Sequence, residues 1–228
     1  MQNIVFKQEL PEIFELNKPQ IPCRNYIYVI NHSCKYDVPI SEMIIPQHFY
    51  YFTGKQRLGI VDRLFFFLNG VIYVDRMDRS ERKIAKENVE KMLKKGNSLW
   101  ICPEGTWNYL PSAPVMPLWW GCVEISKDCN VPILPIALDY EEDRCFVKWG
   151  KPMTFDSEIT KADGIQQVED QLSTLLWDIW EYKGIYPRKD YDRAWWALEF
   201  NRRVKEYPKL DLIYELGCAR KRKPQNSN

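Results

Sequence analysis

The sequence predicts an α/β fold: a mostly parallel sheet flanked by helices, followed by a helical C-terminal extension. Short apolar runs bounded by turn residues recur through the first two thirds of the chain. Segments with helical apolar spacing alternate with them, as parallel strands need crossovers. The 228 residues, 45% hydrophobic, are enough for one domain with a sizeable core.

Residues 1–25 hold Pro11, Pro19 and Pro22 and read as an irregular lead-in. The run 26–30 (Tyr-Ile-Tyr-Val-Ile) reads as a buried strand. A short helix is expected over 38–45, with Asp37 as its N-cap. Residues 49–55 form a second strand ending at Gly54 and Lys55, and 62–68 a short helix stopped before Gly70. A third strand, 71–74, ends in Asp75-Arg76. The clearest helix starts at Asp78 or Ser80 and runs to Lys95, where Asp78 and Glu81 have capping-box spacing and Gly96 supplies a stop. A fourth strand, 98–102, leads into Pro103-Glu104-Gly105-Thr106. A helix follows over 118–127. The strand 131–138 contains Pro132 and Pro135, which argues for an edge position or an irregular strand. Residues 144–150 form a sixth strand. Helices over 168–182 and 190–205 complete the chain before a basic tail, Arg220 to Lys223. The organisation is therefore a lead-in (1–25), an α/β core carrying the motifs (26–155), and a helical extension with its tail (156–228), all in one domain.

Charge is near balance at +1, which excludes a nucleic-acid binder built on gross positive charge. No apolar run approaches the ~18–20 residues that span a bilayer, and the N-terminus has no signal-peptide pattern. Seven scattered cysteines, without a C-x-x-C pair, read as reduced cytosolic thiols. Nothing in the pattern supplies a metal site, and Cys34 is expected to fill space.

The chemistry concentrates at strand ends. Asn31-His32 follows the first strand, with Asp37 a short reach away. In an open α/β sheet, ligands bind beyond the carboxyl ends of the strands. An imidazole there takes a proton from a hydroxyl, and a carboxylate holds its other nitrogen. A histidine in a strand-end loop beside a capping aspartate is the plain alternative for the pair alone.

Four blocks occur in order: Asn31-His32 to Asp37, Gly70 to Arg76, Cys102-Pro103-Glu104-Gly105-Thr106, and Val131-Pro132-Ile133-Leu134-Pro135. Together they resemble the glycerolipid acyltransferases of the 1-acylglycerol-3-phosphate acyltransferase family. That resemblance, over the central half of the chain, implies His32 as general base and Asp37 as its partner. It implies substrate contacts at Lys55, Arg76, Glu104, Gly105 and Thr106. The donor would be acyl-CoA or acyl carrier protein, with no cofactor, and the acceptor a lysophospholipid or glycerol phosphate. The enzyme would work as a peripheral protein at the cytoplasmic membrane face. The residues offer a docking surface in Trp195, Trp196, Phe200, Arg202, Arg203, Lys205 and the basic tail, the alternative being that Trp195 and Trp196 pack against the sheet as ordinary core.

One departure matters. Trp107 stands where the family has a phosphate-binding arginine, and Cys102 where it has a phenylalanine. Either Arg57 or Arg76 holds the phosphate, or the acceptor lacks one and Tyr109, Trp119 and Trp120 make its site more apolar. The other readings are acylation of an amine-bearing acceptor and an idle lipid-binding module.

Overall fold

The computed structural model describes residues 10–22, 24–54, 60–108 and 113–184, with isolated positions at 194, 197, 198, 201, 202 and 205. Its strands are β1 (Glu12–Asn17), β2 (Ile27–Ile30), β3 (Phe49–Gly54), β4 (Val71–Val74), β5 (Ser98–Ile101), β6 (Ile133–Glu141) and β7 (Arg144–Trp149). Its helices are α1 (Asp37–Ile44), α2 (Ile60–Asn69), α3 (Arg79–Lys94), α4 (Gly121–Cys129) and α5 (Lys161–Lys183). The strands make one sheet in the order β1-β7-β6-β2-β5-β3-β4. The five strands from β6 to β4 run parallel, while β7 turns back antiparallel on β6 and carries β1 beside it.

Both faces of the sheet are covered, so its central strands are apolar on both sides. Ile27, Val29, Leu99, Ile101, Ile133 and Ala137 point to the face that packs on α3, α4 and α5. Tyr28, Ile30, Trp100, Leu134 and Ile136 point to the face carrying Ile40 and Ile44 of α1. α5 buries Val168, Leu172, Leu175, Leu176 and Ile179, a stripe at helical spacing, and so shares the core of the sheet.

Three sequence expectations change. The lead-in holds β1, an edge strand that pairs in parallel with β7 and is bracketed by Pro11 and Pro19. Its short run shows no simple alternation, because Phe14 and Leu16 pack on one face of the sheet and Ile13 on the other. Second, β6 is central, between β7 and β2, rather than at an edge. Pro135 gives up one donor on the β7 side, but its carbonyl still accepts from Gly150 N at 2.8 Å, and pairing resumes at Ile133, whose N–H donates to Met153 O at 2.9 Å. Third, Asp37 is the first residue of α1, not its cap; Tyr36 occupies the cap position without a side-chain bond. Asp78, by contrast, caps α3, accepting from Ser80 N and Glu81 N. The helix foreseen over 190–205 lies mostly outside the described residues.

Asn31 extends the β2–β6 ladder by one step with its side chain. Its Nδ2 donates to Leu138 O at 2.8 Å and its Oδ1 accepts from Leu138 N at 2.8 Å, all buried. Asn31→Ala orphans both backbone groups of Leu138. It should cost roughly 2–6 kcal/mol, at about 1–3 kcal/mol per buried group left unsatisfied. Urea unfolding of the variant checks this.

Candidate active site

Because β2, β3, β4 and β5 are parallel, their carboxyl ends open on one edge of the sheet. A cavity of about 940 Å³ opens there, lined by His32 after β2, Gly54 of β3, Arg76 after β4 and Pro103 and Gly105 after β5. Three of the four blocks of the sequence thus meet around one space.

The pair at its rim is built by a tight loop. Asp37 is fully buried. Its Oδ2 accepts from Ser33 N at 2.7 Å and Cys34 N at 2.9 Å, and meets His32 Nδ1 at 2.7 Å. Its Oδ1 accepts from the Tyr140 hydroxyl at 2.8 Å. An ionised carboxylate only accepts, so a neutral His32 facing it donates from Nδ1 and keeps its lone pair on Nε2. The His32 side chain is 17% exposed and lines the cavity. The backbone of His32 is clamped as well: its N–H donates to Glu104 Oε1 at 2.7 Å, and its carbonyl accepts from Asn108 N at 2.7 Å.

Glu104 is fully buried, and its second oxygen accepts from Met116 N at 2.8 Å. It joins the loops after β2 and β5. Thr106 is also buried. Gly105 lines the cavity at φ +73°, and a Cβ there would stand 2.5 Å from Arg76 Nη1 and 3.0 Å from Trp119 Nε1. Glycine is needed both for the left-handed backbone and for the close approach of these two side chains. Arg76 donates to the Gly105 carbonyl, and Arg82 from the first turn of α3 donates to the Arg76 carbonyl at 2.6 Å. Arg76, Arg82 and Lys86 all line the cavity with Trp119 and Trp120. Lys86 is engaged by Glu124 at 2.8 Å and Asp128 at 2.6 Å.

Trp107 is buried with its ring edge-on to His32, centroids 6.1 Å apart. The indole supports the imidazole from behind and is not part of the cavity lining. Lys55, Arg57 and Tyr109 lie outside the described residues, as do Trp195, Trp196, Phe200, Arg203 and the basic tail. Arg202 and Lys205 are exposed. Two contributors escaped the sequence reading. Tyr140 reaches Asp37 from 103 residues away, which no local spacing reveals. Arg82 sits one helical turn after the cap of α3, where it reads as an ordinary surface base.

The Acyltransferase family matches residues 12–139. Among curated proteins, the chain is 30% identical over 137 residues to an uncharacterised acyltransferase of Schizosaccharomyces pombe, covering 58% of this chain and 46% of that one. It is 27% identical over 172 residues to the 1-acyl-sn-glycerol-3-phosphate acyltransferase of Saccharomyces cerevisiae, covering 68% and 56%. The matched region spans about half the length of these relatives. The crystal structure of the 1-acyl-sn-glycerophosphate acyltransferase PlsC from Thermotoga maritima superposes with a TM-score of 0.60. It is 20% identical, covering 78% of this chain and 74% of that one. The likeness is one of fold.

The thiols of Cys34 and Cys145 are pushed well above the usual range, first by burial and then by the negative charge of Asp37. A raised thiol pKa means less thiolate at a given pH, about tenfold less per unit. At pH 8 iodoacetamide should therefore label both residues far more slowly in the native chain than in the unfolded one. Peptide mass spectrometry reads the difference. Rapid native labelling of Cys34 would show an activated thiol beside His32.

Proposed function

The chain belongs to the Acyltransferase family, and from that premise we propose that it moves a fatty acyl group from a thioester to the hydroxyl of a glycerol-phosphate acceptor. The donor is acyl-CoA or acyl carrier protein, and the acceptor resembles a 1-acylglycerol 3-phosphate, the substrate class in the names of the yeast and Thermotoga proteins. The observation that carries this reading is the His32 Nδ1–Asp37 Oδ2 contact of 2.7 Å at the rim of a largely apolar cavity that Arg76 and Arg82 also line.

In the proposed reaction His32 Nε2 takes the proton of the acceptor hydroxyl as its oxygen attacks the thioester carbonyl. Asp37 holds the ring and stabilises the imidazolium that forms. The C–O bond forms, the tetrahedral intermediate collapses with loss of the C–S bond, and the imidazolium returns its proton to the departing thiolate. No acyl-enzyme is needed, and the raised thiol of Cys34 fits that route. Arg76 and Arg82, which line the cavity, would hold the phosphate in place of the family's missing arginine. Guanidinium groups suit phosphate because they offer paired, always-charged donors.

Incubating the purified chain with long-chain acyl-CoA or acyl carrier protein and a panel of acceptors tests the reading. Thiol release and product mass name donor and acceptor. An acylated amine as the sole product would replace the glycerol-phosphate reading, and no turnover with any acceptor would favour the binding module. His32→Ala should lower the transfer rate by ~10²–10⁴-fold in a chain that still folds cooperatively, with a lowered melting temperature because buried Asp37 loses one donor. Normal turnover in that variant would refute the base assignment. Arg82→Ala should raise the acceptor KM by roughly 10–100-fold, the equivalent of one lost charge-assisted contact, and leave the donor KM unaffected. Equal effects on both substrates would remove Arg82 from the acceptor site.

A further inference from the structure

α2 is apolar on the wrong side. Phe65 and Phe66 turn inward, with ring centroids 6.0 and 5.0 Å from that of Tyr51. Yet Ile60, Val61, Leu64, Phe67 and Leu68 are 56–86% exposed. At 3.6 residues per turn these five side chains fall within an arc of about 120°, and the exposed Arg63 borders it. A helix that is apolar around both faces is normally buried. Beside it, Tyr73 on the edge strand β4 is partly exposed. Tyr73 shares its side of the sheet with Val71, which packs with α2's inner residues.

We propose that this face of α2 docks on a lipid bilayer. The inference rests on the acyl-transfer reading above, and three observations select lipid over protein. The first is area. Five such side chains, scaled for their exposure, present roughly 200–400 Å² of apolar surface. A standard protein interface covers ~800 Å² per partner. A bilayer needs no matching surface and accepts a single apolar helix face lying in its interface. The second is the border. An exposed arginine and a tyrosine flank the apolar arc, the residue types that sit at headgroup level. The third is position. α2 connects β3 to β4, and the last residues of these two strands, Thr53, Gly54 and Val74, line the cavity. Crossover geometry puts the first turn of α2, with Ile60 and Val61, at the cavity's edge of the sheet. A chain-bearing substrate leaving the bilayer at α2 meets the cavity without crossing the protein.

The test is flotation of the full chain with vesicles of phosphatidylcholine, with and without phosphatidylglycerol. No donor or acceptor is present, so the result is independent of the reaction. The wild type should float with the vesicles, and more so with the anionic lipid. The Leu64→Gln/Phe67→Gln/Leu68→Gln variant should bind at least ~tenfold more weakly with an unchanged melting temperature. If the triple variant loses its native transition, Ile60→Gln and Phe67→Gln, at the two most exposed positions, carry the test. Each should then weaken binding by ~threefold or more. The proposal is overturned if the wild type does not float, if the variants float as it does, or if light scattering shows a dimer that the variants dissolve. Failure to transfer an acyl group to a soluble short-chain acceptor, with flotation intact, would count against the acyl-transfer reading and not against α2.

Discussion

The buried carboxylate of Asp37 is the constraint on which the active edge depends. An uncompensated buried charge costs several kcal/mol or more, so a folded state holding it must supply donors. Here they come from three places: the backbone of residues 33 and 34, the His32 ring and the Tyr140 hydroxyl. Satisfying one charge therefore fixes the loop after β2, the orientation of the imidazole and the end of β6. The Tyr140 phenol is a donor at neutral pH in any case, and burial and the facing Asp37 raise it further above the ordinary value.

A second buried carboxylate does similar work with neutral partners. Glu104 accepts backbone amides from His32 and Met116, tying the β2 loop to the loop after β5. The strand ends around the cavity are thus joined by side chains as well as by the sheet. Rigid placement of this kind gives a general base its value, since a small displacement of the reacting atoms costs much of the rate.

Much of this was legible before any coordinates. The alternation of apolar runs with helical spacing gave the parallel core, and His32 and Asp37 came together as their spacing foretold. What stayed hidden has physical reasons. Pro135 pointed to an edge because a missing N–H is local, whereas the central place of β6, with pairing on both sides of the proline, is set by tertiary contacts. Asp37 read as a cap because its sequence position suits one, but the donors of the loop before it outcompete the helix amides. Tyr140 and Arg82 join the site only through folding. Trp107 invited a reading about acceptor choice, yet its indole is buried against His32. The C-terminal tryptophans that the sequence offers as a docking surface lie outside the described residues; among the described ones, α2 carries an exposed apolar face. A run such as Leu64-Phe65-Phe66-Phe67-Leu68 reads as core until burial shows which side is left open.

The most direct measurement is the protonation pattern of the His32 ring by ¹⁵N NMR of histidine-labelled protein at neutral pH. The chain has two histidines, so a His48→Gln variant assigns both sets of signals. An imidazole oriented by Asp37 for base catalysis shows a protonated Nδ1 with a strongly downfield proton, an unprotonated Nε2, and loss of that pattern in Asp37→Asn. A His32 ring carrying its proton on Nε2, or a spectrum unchanged by Asp37→Asn, would contradict the role assigned to the pair.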